Sequence, residues 1–230
     1  MDYKKLVDGT PVPVLGLGTW AMGGNLSPSR KNDEAEIRAI RLAVELGYTH
    51  IDTAEMYGAG HTEELVGSAI EGFNRADLFI TSKVLPEHLR YQDLLAAARR
   101  TLERLKTDYV DLYLVHIPNP RIPIKETMQA MDQLQDEGIA RHIGVSNFTA
   151  AQLEEAQGCA AHPITVNQVQ YNLLTRNRRG HYIAHVESGV IPSCLEHGVL
   201  VVAYEPLARG KLVAPAPGRV AQTARKYGKT

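Results

Sequence analysis

The run HIDTAEMYG, from His50 to Gly58, decides how this 230-residue chain is read. Its apolar start is short, Asp52 closes it, and Tyr57 follows five residues later in a loop. A carboxylate and a phenol delivered together from a strand end need a reason. Two more polar residues end strand-like runs further on: Lys83 after LFITS (Leu78 to Ser82) and His116 after VDLYLV (Val110 to Val115). An acid, a phenol, an amine and an imidazole become one catalytic constellation only if the fold gathers those strand ends.

Working outward, residues 3 to 14 flank Asp8-Gly9, a turn pair that predicts a small hairpin. Val14 to Leu17 read as the first buried strand. Gly16, Gly18 and Ala21 fit a relaxed dinucleotide fingerprint, but the loop GGNLSP (Gly23 to Pro28) stands where a Rossmann helix would start. A helix follows Asn32, with Ile37, Ile40 and Val44 on one face and Gly47 as its stop. After strand 50–52, Thr62 predicts a helix N-cap, with Glu63 and Glu64 in the first turn and Ile70 near the end. Strand 78–82 precedes a helix carrying Leu94, Ala98, Leu102 and Leu105. Strand 110–115 precedes one with Ile124, Met128, Met131 and Leu134. Strand 142–145 leads to a capping box of Thr149 and Gln152. Strand 164–169, a long loop, a helix around 186–197 and strand 199–203 come next. Val220, Ala224 and Tyr227 suggest a last helix.

The strand ends fall at Asp52, Lys83, His116, Ser146, Gln168 and Tyr204, mostly about 30 residues apart, the size of one βαβ unit. Apolar strands alternating with amphipathic helices predict an α/β fold with a parallel sheet covered by helices. Functional residues at so many carboxyl ends favour a (β/α)8 TIM-barrel type over a doubly wound sheet, since the barrel brings all those ends to one mouth. Residues 1–230 read as one barrel domain with an N-terminal β-hairpin, seven strand–helix units and no eighth. Two facing open edges would favour a homo-oligomer.

A formal charge of −1 argues against nucleic-acid or membrane-surface partners. The two cysteines, Cys159 and Cys194, have no zinc-like spacing and fit a reducing compartment. MDYKKL at the start has no apolar signal core, so the expectation is a cytoplasmic protein. His61, Glu63 and Glu64 lack the spacing of a metal motif and read as a helix start; no metal is expected.

A phenol of ordinary pKa about 10 is a poor acid near neutrality. An ammonium beside it favours phenolate, and a carboxylate keeps that ammonium charged and in place. Asp52, Lys83 and Tyr57 fit this chain of dependence, with His116 able to orient a carbonyl oxygen. Tyr57 would then protonate an alkoxide as it forms. None of the four can supply hydride, so a nicotinamide cofactor is implied. A Schiff base on Lys83 is the competing chemistry, but it needs the neutral amine that Asp52 disfavours.

These residues bring a resemblance with them. GYTHIDTAEMYG (Gly47 to Gly58) with EELVG (Glu63 to Gly67), YVDLYLVH (Tyr109 to His116), GIARHIGVSNF (Gly138 to Phe148), VNQVQYN (Val166 to Asn172) and VAYEPL (Val202 to Leu207) resemble, in order, the blocks of the aldo-keto reductases. The resemblance implies Asp52, Tyr57, Lys83 and His116 as the catalytic tetrad. It implies Ser146, Asn147 and Gln168 as the holders of the nicotinamide carboxamide, and Tyr204 as the ring stacked on the nicotinamide. Gly18, Thr19 and Trp20 match the first loop beside substrate and cofactor, and Leu207 and Gly210 fall in the cofactor-binding segment after strand 199–203. NADPH, with NADH as the alternative, and a small-molecule carbonyl substrate follow from the same resemblance. Glu205 departs from the family's Ser or Thr, and would repel a pyrophosphate unless paired with Arg209 or Lys211. The Thr175 to Gly189 loop is longer than the family's connection, and the basic segment that grips the 2′-phosphate lies beyond Thr230 in the family pattern. A truncated, non-catalytic binding module or fragment of this kind, with weak or no cofactor binding, is therefore the alternative to a reductase.

Overall fold

The computed structural model describes residues 1–213 and 218–228; the last two residues of KYGKT lie outside them. Tyr3–Lys5 (β1) and Pro11–Pro13 (β2) pair antiparallel, as the Asp8-Gly9 turn predicts. Gly9 takes φ 91°, and Asp8 Oδ1 accepts the Thr10 amide at 2.9 Å.

Seven parallel strands follow in chain order in one sheet. They are β3 (Gly16–Gly18), β4 (His50–Asp52), β5 (Phe79–Val84), β6 (Val110–Val115), β7 (Ala140–Ser146), β8 (Ile164–Gln170) and β9 (Leu200–Tyr204). Helices α1 (Asp33–Glu45), α2 (His61–Ile70), α3 (Tyr91–Leu105), α4 (Ile124–Asp136), α5 (Ala150–Cys159) and α6 (Ile191–Glu196) connect them, and α7 (Gly218–Lys226) follows β9.

One hydrogen bond shows that the sheet curls. Strands four places apart in a flat sheet are separated by roughly 19 Å. Yet Gln168 Nε2, on β8, donates to Asp52 Oδ2, on β4, at 2.7 Å. Only a barrel wall brings those strands so close. Among the described residues β3 pairs with β4 alone and β9 with β8 alone, which leaves an open seam between them. The sheet is thus the predicted seven-unit part of a (β/α)8 wall.

Both faces of the central strands β5 to β8 are buried, as a parallel sheet requires, while the edge strands β3 and β9 are partly exposed. Leu112 and Leu114 point inward with Phe79 and Val166, and Leu6 and Val12 of the hairpin plug the amino end of this interior. Tyr113 and Val115 alternate outward into the helix layer, with Leu94, Ala98 and Leu105 of α3 and Met128, Met131 and Leu134 of α4. Each such fully buried leucine contributes roughly 2 kcal/mol of transfer free energy. Helices α2 and α3 cross at Gly67, where a Cβ would stand 2.4 Å from the Arg104 carbonyl oxygen. Any larger residue would push the helices apart.

Three local expectations change. Strand β5 runs on to Val84, so Lys83 lies inside the strand rather than after it. Helix α2 starts at His61 behind Gly60 at φ 94°, and Thr62, inside the helix, donates its hydroxyl to the Met22 carbonyl instead of capping. The predicted helix around 186–197 divides into a wide π turn, Val186–Val190, and α6. The Thr149–Gln152 capping box forms as expected. No helix among the described residues is long and apolar enough to cross a membrane.

Candidate active site

The carboxyl end of the wall gathers all four residues of the constellation. Lys83 is fully buried at its centre. Its ammonium donates to Asp52 Oδ1 at 2.6 Å, to the Thr53 carbonyl at 2.9 Å and to Tyr57 Oη at 3.2 Å. Three acceptors match its three protons. The Tyr57 ring stands edge-on between His116, 5.7 Å away, and Trp20, 5.0 Å away, measured between ring centroids.

The turn after β4 aims Tyr57. Gly58 takes φ 55° and donates to the Asn25 carbonyl at 2.7 Å; a Cβ there would lie 2.6 Å from the Gly23 carbonyl oxygen. Only glycine lets the two loops touch. Glu55, buried beside the turn, accepts the Leu85 amide at 3.1 Å and lies 3.1 Å from His88 Nδ1. This carboxylate ties the Tyr57 loop to the end of β5, and sequence reading did not single it out.

Burial pushes the Tyr57 phenol above its ordinary value; Lys83 opposes the rise and Asp52 adds to it. The expected net depression by Lys83 is thus corrected, because desolvation of a phenolate outweighs the ammonium. Burial pulls the Lys83 ammonium down, but Asp52 and Tyr57 outweigh that, so Lys83 is raised and stays charged. His116 is lowered to about 3, by burial first and the Lys83 charge second, against Asp52. It is neutral through the physiological range. Its buried Nδ1 has no hydrogen-bond partner among the described residues.

The sign of the His116 contribution follows from that depression. Below about pH 6.5 the unfolded chain binds a proton that folded His116 refuses until about pH 3. Its contribution to stability is complete above the unfolded value and is lost as pH falls through this window. Urea unfolding of the chain and of His116→Asn across that range is expected to show a shallower acid loss in the variant. An identical pH slope in both would contradict the assignment.

The residues matched to the nicotinamide site lie side by side at the ends of β7, β8 and β9. Ser146 Oγ donates to the Gln168 carbonyl at 2.9 Å, and Tyr204 Oη donates to Asn147 Oδ1 at 3.0 Å. Asn147 Nδ2 reaches the His116 carbonyl and Ser146 Oγ, both at 3.0 Å. Asn147 takes φ 61°, a left-handed conformation that asparagine tolerates better than most residues. Gly18, Trp20, Ser146, Asn147, Gln168 and Tyr204 line one cleft of about 640 Å³ with Tyr57 and His116. That is the size of a small-molecule site.

Thr19 lies behind the cleft wall, its amide and hydroxyl both on the Asp52 carbonyl at 3.0 and 2.9 Å. Leu207 and Gly210 lie in the turn after β9, exposed and away from the cleft lining. Glu205 is neutralised by Arg209, whose Nε donates to Oε1 at 2.6 Å, while Gln170 Nε2 donates to Oε2 at 2.6 Å. His181 and Tyr182 also line the cleft. Sequence reading missed both; the unusual length of their loop was the available signal.

A model of the Aldo/keto reductase family matches residues 14–222. The chain belongs to the aldo/keto reductase family. It is 36% identical over 222 residues to the aldo-keto reductase YhdN of Bacillus subtilis, covering 92% of this chain and 64% of that one. It is 38% identical over 199 residues to the methylglyoxal reductase YeaE of Escherichia coli, covering 86% and 65%. The chain therefore spans a little under two thirds of the length of these two relatives. Among solved structures, the thermostable aldo-keto reductase Tm1743, in complex with the inhibitor epalrestat, superposes with a TM-score of 0.92 at 47% identity, over 100% of this chain and 82% of that one. An aldo/keto reductase from Klebsiella pneumoniae in complex with NADP and acetate gives 0.83 at 36%, over 97% and 75%.

Proposed function

We propose that this aldo/keto reductase chain reduces aldehydes and ketones to alcohols, using NADPH or NADH. The observation that carries the reading is the buried Lys83 ammonium held between Asp52 at 2.6 Å and Tyr57 Oη at 3.2 Å, behind the cleft that Asp52, Tyr57 and His116 line. A bound nicotinamide would supply hydride to the carbonyl carbon. Tyr57, kept protonated by its raised pKa, gives its proton to the carbonyl oxygen as charge builds there. Lys83 stabilises the phenolate left behind, and Asp52 holds Lys83 in position. Neutral His116 can donate a hydrogen bond to the same oxygen.

The donor set suits the cofactor's nicotinamide end. Two side-chain amides, Asn147 and Gln168, and the Ser146 hydroxyl can hold a carboxamide, and the Tyr204 ring borders the cleft beside them. Among the described residues the cations bordering that cleft are Lys4 and Arg209, the latter already held by Glu205. The reading is tested by fluorescence titration with NADPH and NADH, then by loss of reduced cofactor with methylglyoxal, the substrate named for YeaE. Binding with turnover is the expected result. A folded chain that binds neither cofactor would instead be a binding module built on a reductase wall.

A further inference from the structure

The connection between β8 and the π turn, residues 171–185, holds no strand or helix. Loops that long without secondary structure are uncommon in compact domains and are usually functional. This one is built rather than slack. Asn172 Oδ1 accepts the amides of Leu174 and Thr175 at 2.9 and 3.1 Å, and Asn177 Oδ1 accepts the Ser188 amide at 2.8 Å. Ile183 and Val186 anchor it in the core.

Its tip is fixed at the cleft by one side chain. Gln170 Oε1 accepts the His181 amide at 2.9 Å while its Nε2 is held by Glu205. A Cβ on Gly180 would lie 2.5 Å from Gln170 Oε1, so a larger residue there would displace the Gln170 amide that holds the loop. Tyr182 follows at once, its ring edge-on to His181, 48% exposed and bordering the cleft. Trp20, 46% exposed, borders the same cleft beside Tyr57. Two half-exposed aromatic side chains lining the cleft that also holds Tyr57 offer flat apolar surface to a ring.

We propose that Tyr182 is a specificity-determining wall of the carbonyl pocket, which with Trp20 selects planar aromatic aldehydes over small aliphatic ones. This rests on the reductase reading above and names its substrate class. It also gives the Gln170–Glu205–Arg209 network a purpose: these residues position the loop that carries the wall.

The test uses the full chain with Tyr182→Ala and Tyr182→Phe. Trp20 is the sole tryptophan, so its fluorescence reports a ring entering the pocket. Titrated with benzyl alcohol, Tyr182→Phe is expected to bind as the unsubstituted chain does, and Tyr182→Ala about five- to tenfold more weakly. In turnover, the benzaldehyde to methylglyoxal ratio of kcat/KM should fall by a similar factor in Tyr182→Ala, through KM rather than kcat. Unchanged binding in Tyr182→Ala, or a parallel loss for both aldehydes, overturns the proposal. If the unsubstituted chain reduces neither aldehyde, the reductase reading fails, and the fluorescence titration alone decides whether Tyr182 forms the wall.

Discussion

Tyr57→Phe is expected to lower aldehyde turnover by about 100- to 10,000-fold, the usual contribution of a positioned general acid. The substitution removes one oxygen and little else. The ring keeps its edge-on neighbours Trp20 and His116, and Lys83 keeps Asp52 and the Thr53 carbonyl as acceptors. Cofactor affinity and the unfolding midpoint should therefore stay close to those of the unsubstituted chain while kcat collapses. Turnover within a few-fold of the original would move the proton donor elsewhere and sink the assignment of Tyr57. Stopped-flow measurement of the first turnover separates a loss in the chemical step from a loss in product release.

Arg104→Ala is expected to destabilise the chain by about 3–5 kcal/mol, the cost of leaving a buried charge unpaired. Glu63 has no exposed surface. Its Oε2 accepts from Arg104 Nε at 2.6 Å, and its Oε1 accepts from the Ser82 hydroxyl beside Lys83. Burial pushes the Glu63 carboxyl up, with Arg104 and Ser82 pulling it back. Removing Arg104 leaves the upward push less opposed. A raised folded value means the folded state holds a proton that the unfolded state has lost, so the damage should shrink as pH falls and Glu63 is neutralised. Urea unfolding at two pH values reads this directly. The double variant Glu63→Gln, Arg104→Met should recover most of the loss, because it removes both charges. A loss that ignores pH, or no recovery in the pair, would show that Arg104 acts through packing alone.

The Glu63 case marks where sequence reading stops. In the chain Glu63 is an acidic residue in a helix's first turn, and that position is ordinarily solvated. The contact that buries it joins α2 to α3 and β5, residues far apart in sequence. No local pattern encodes it. The same holds for Tyr57: the neighbouring residues foretold the ammonium and the carboxylate, but the depth of the pocket, which sets the direction of the pKa shift, is a property of the assembled wall.

What the sequence determined by itself was whatever is written locally. Apolar runs of strand length, helical periodicities and the Thr149–Gln152 box specify the order of the units. The polar residue at or near the end of each run marks the carboxyl end of the wall, because parallel strands share one direction. Asp52, Lys83, His116, Ser146, Gln168 and Tyr204 were legible for that reason. Only the tertiary structure decided what crosses the wall: the 2.7 Å bond from Gln168 to Asp52, the 2.6 Å bond from Gln170 to Glu205, and the seating of Tyr182 at the cleft. Each depends on how tightly seven strands curl and where a long loop lands. Curvature and loop placement come from the packing of both faces at once, which no single stretch of chain contains.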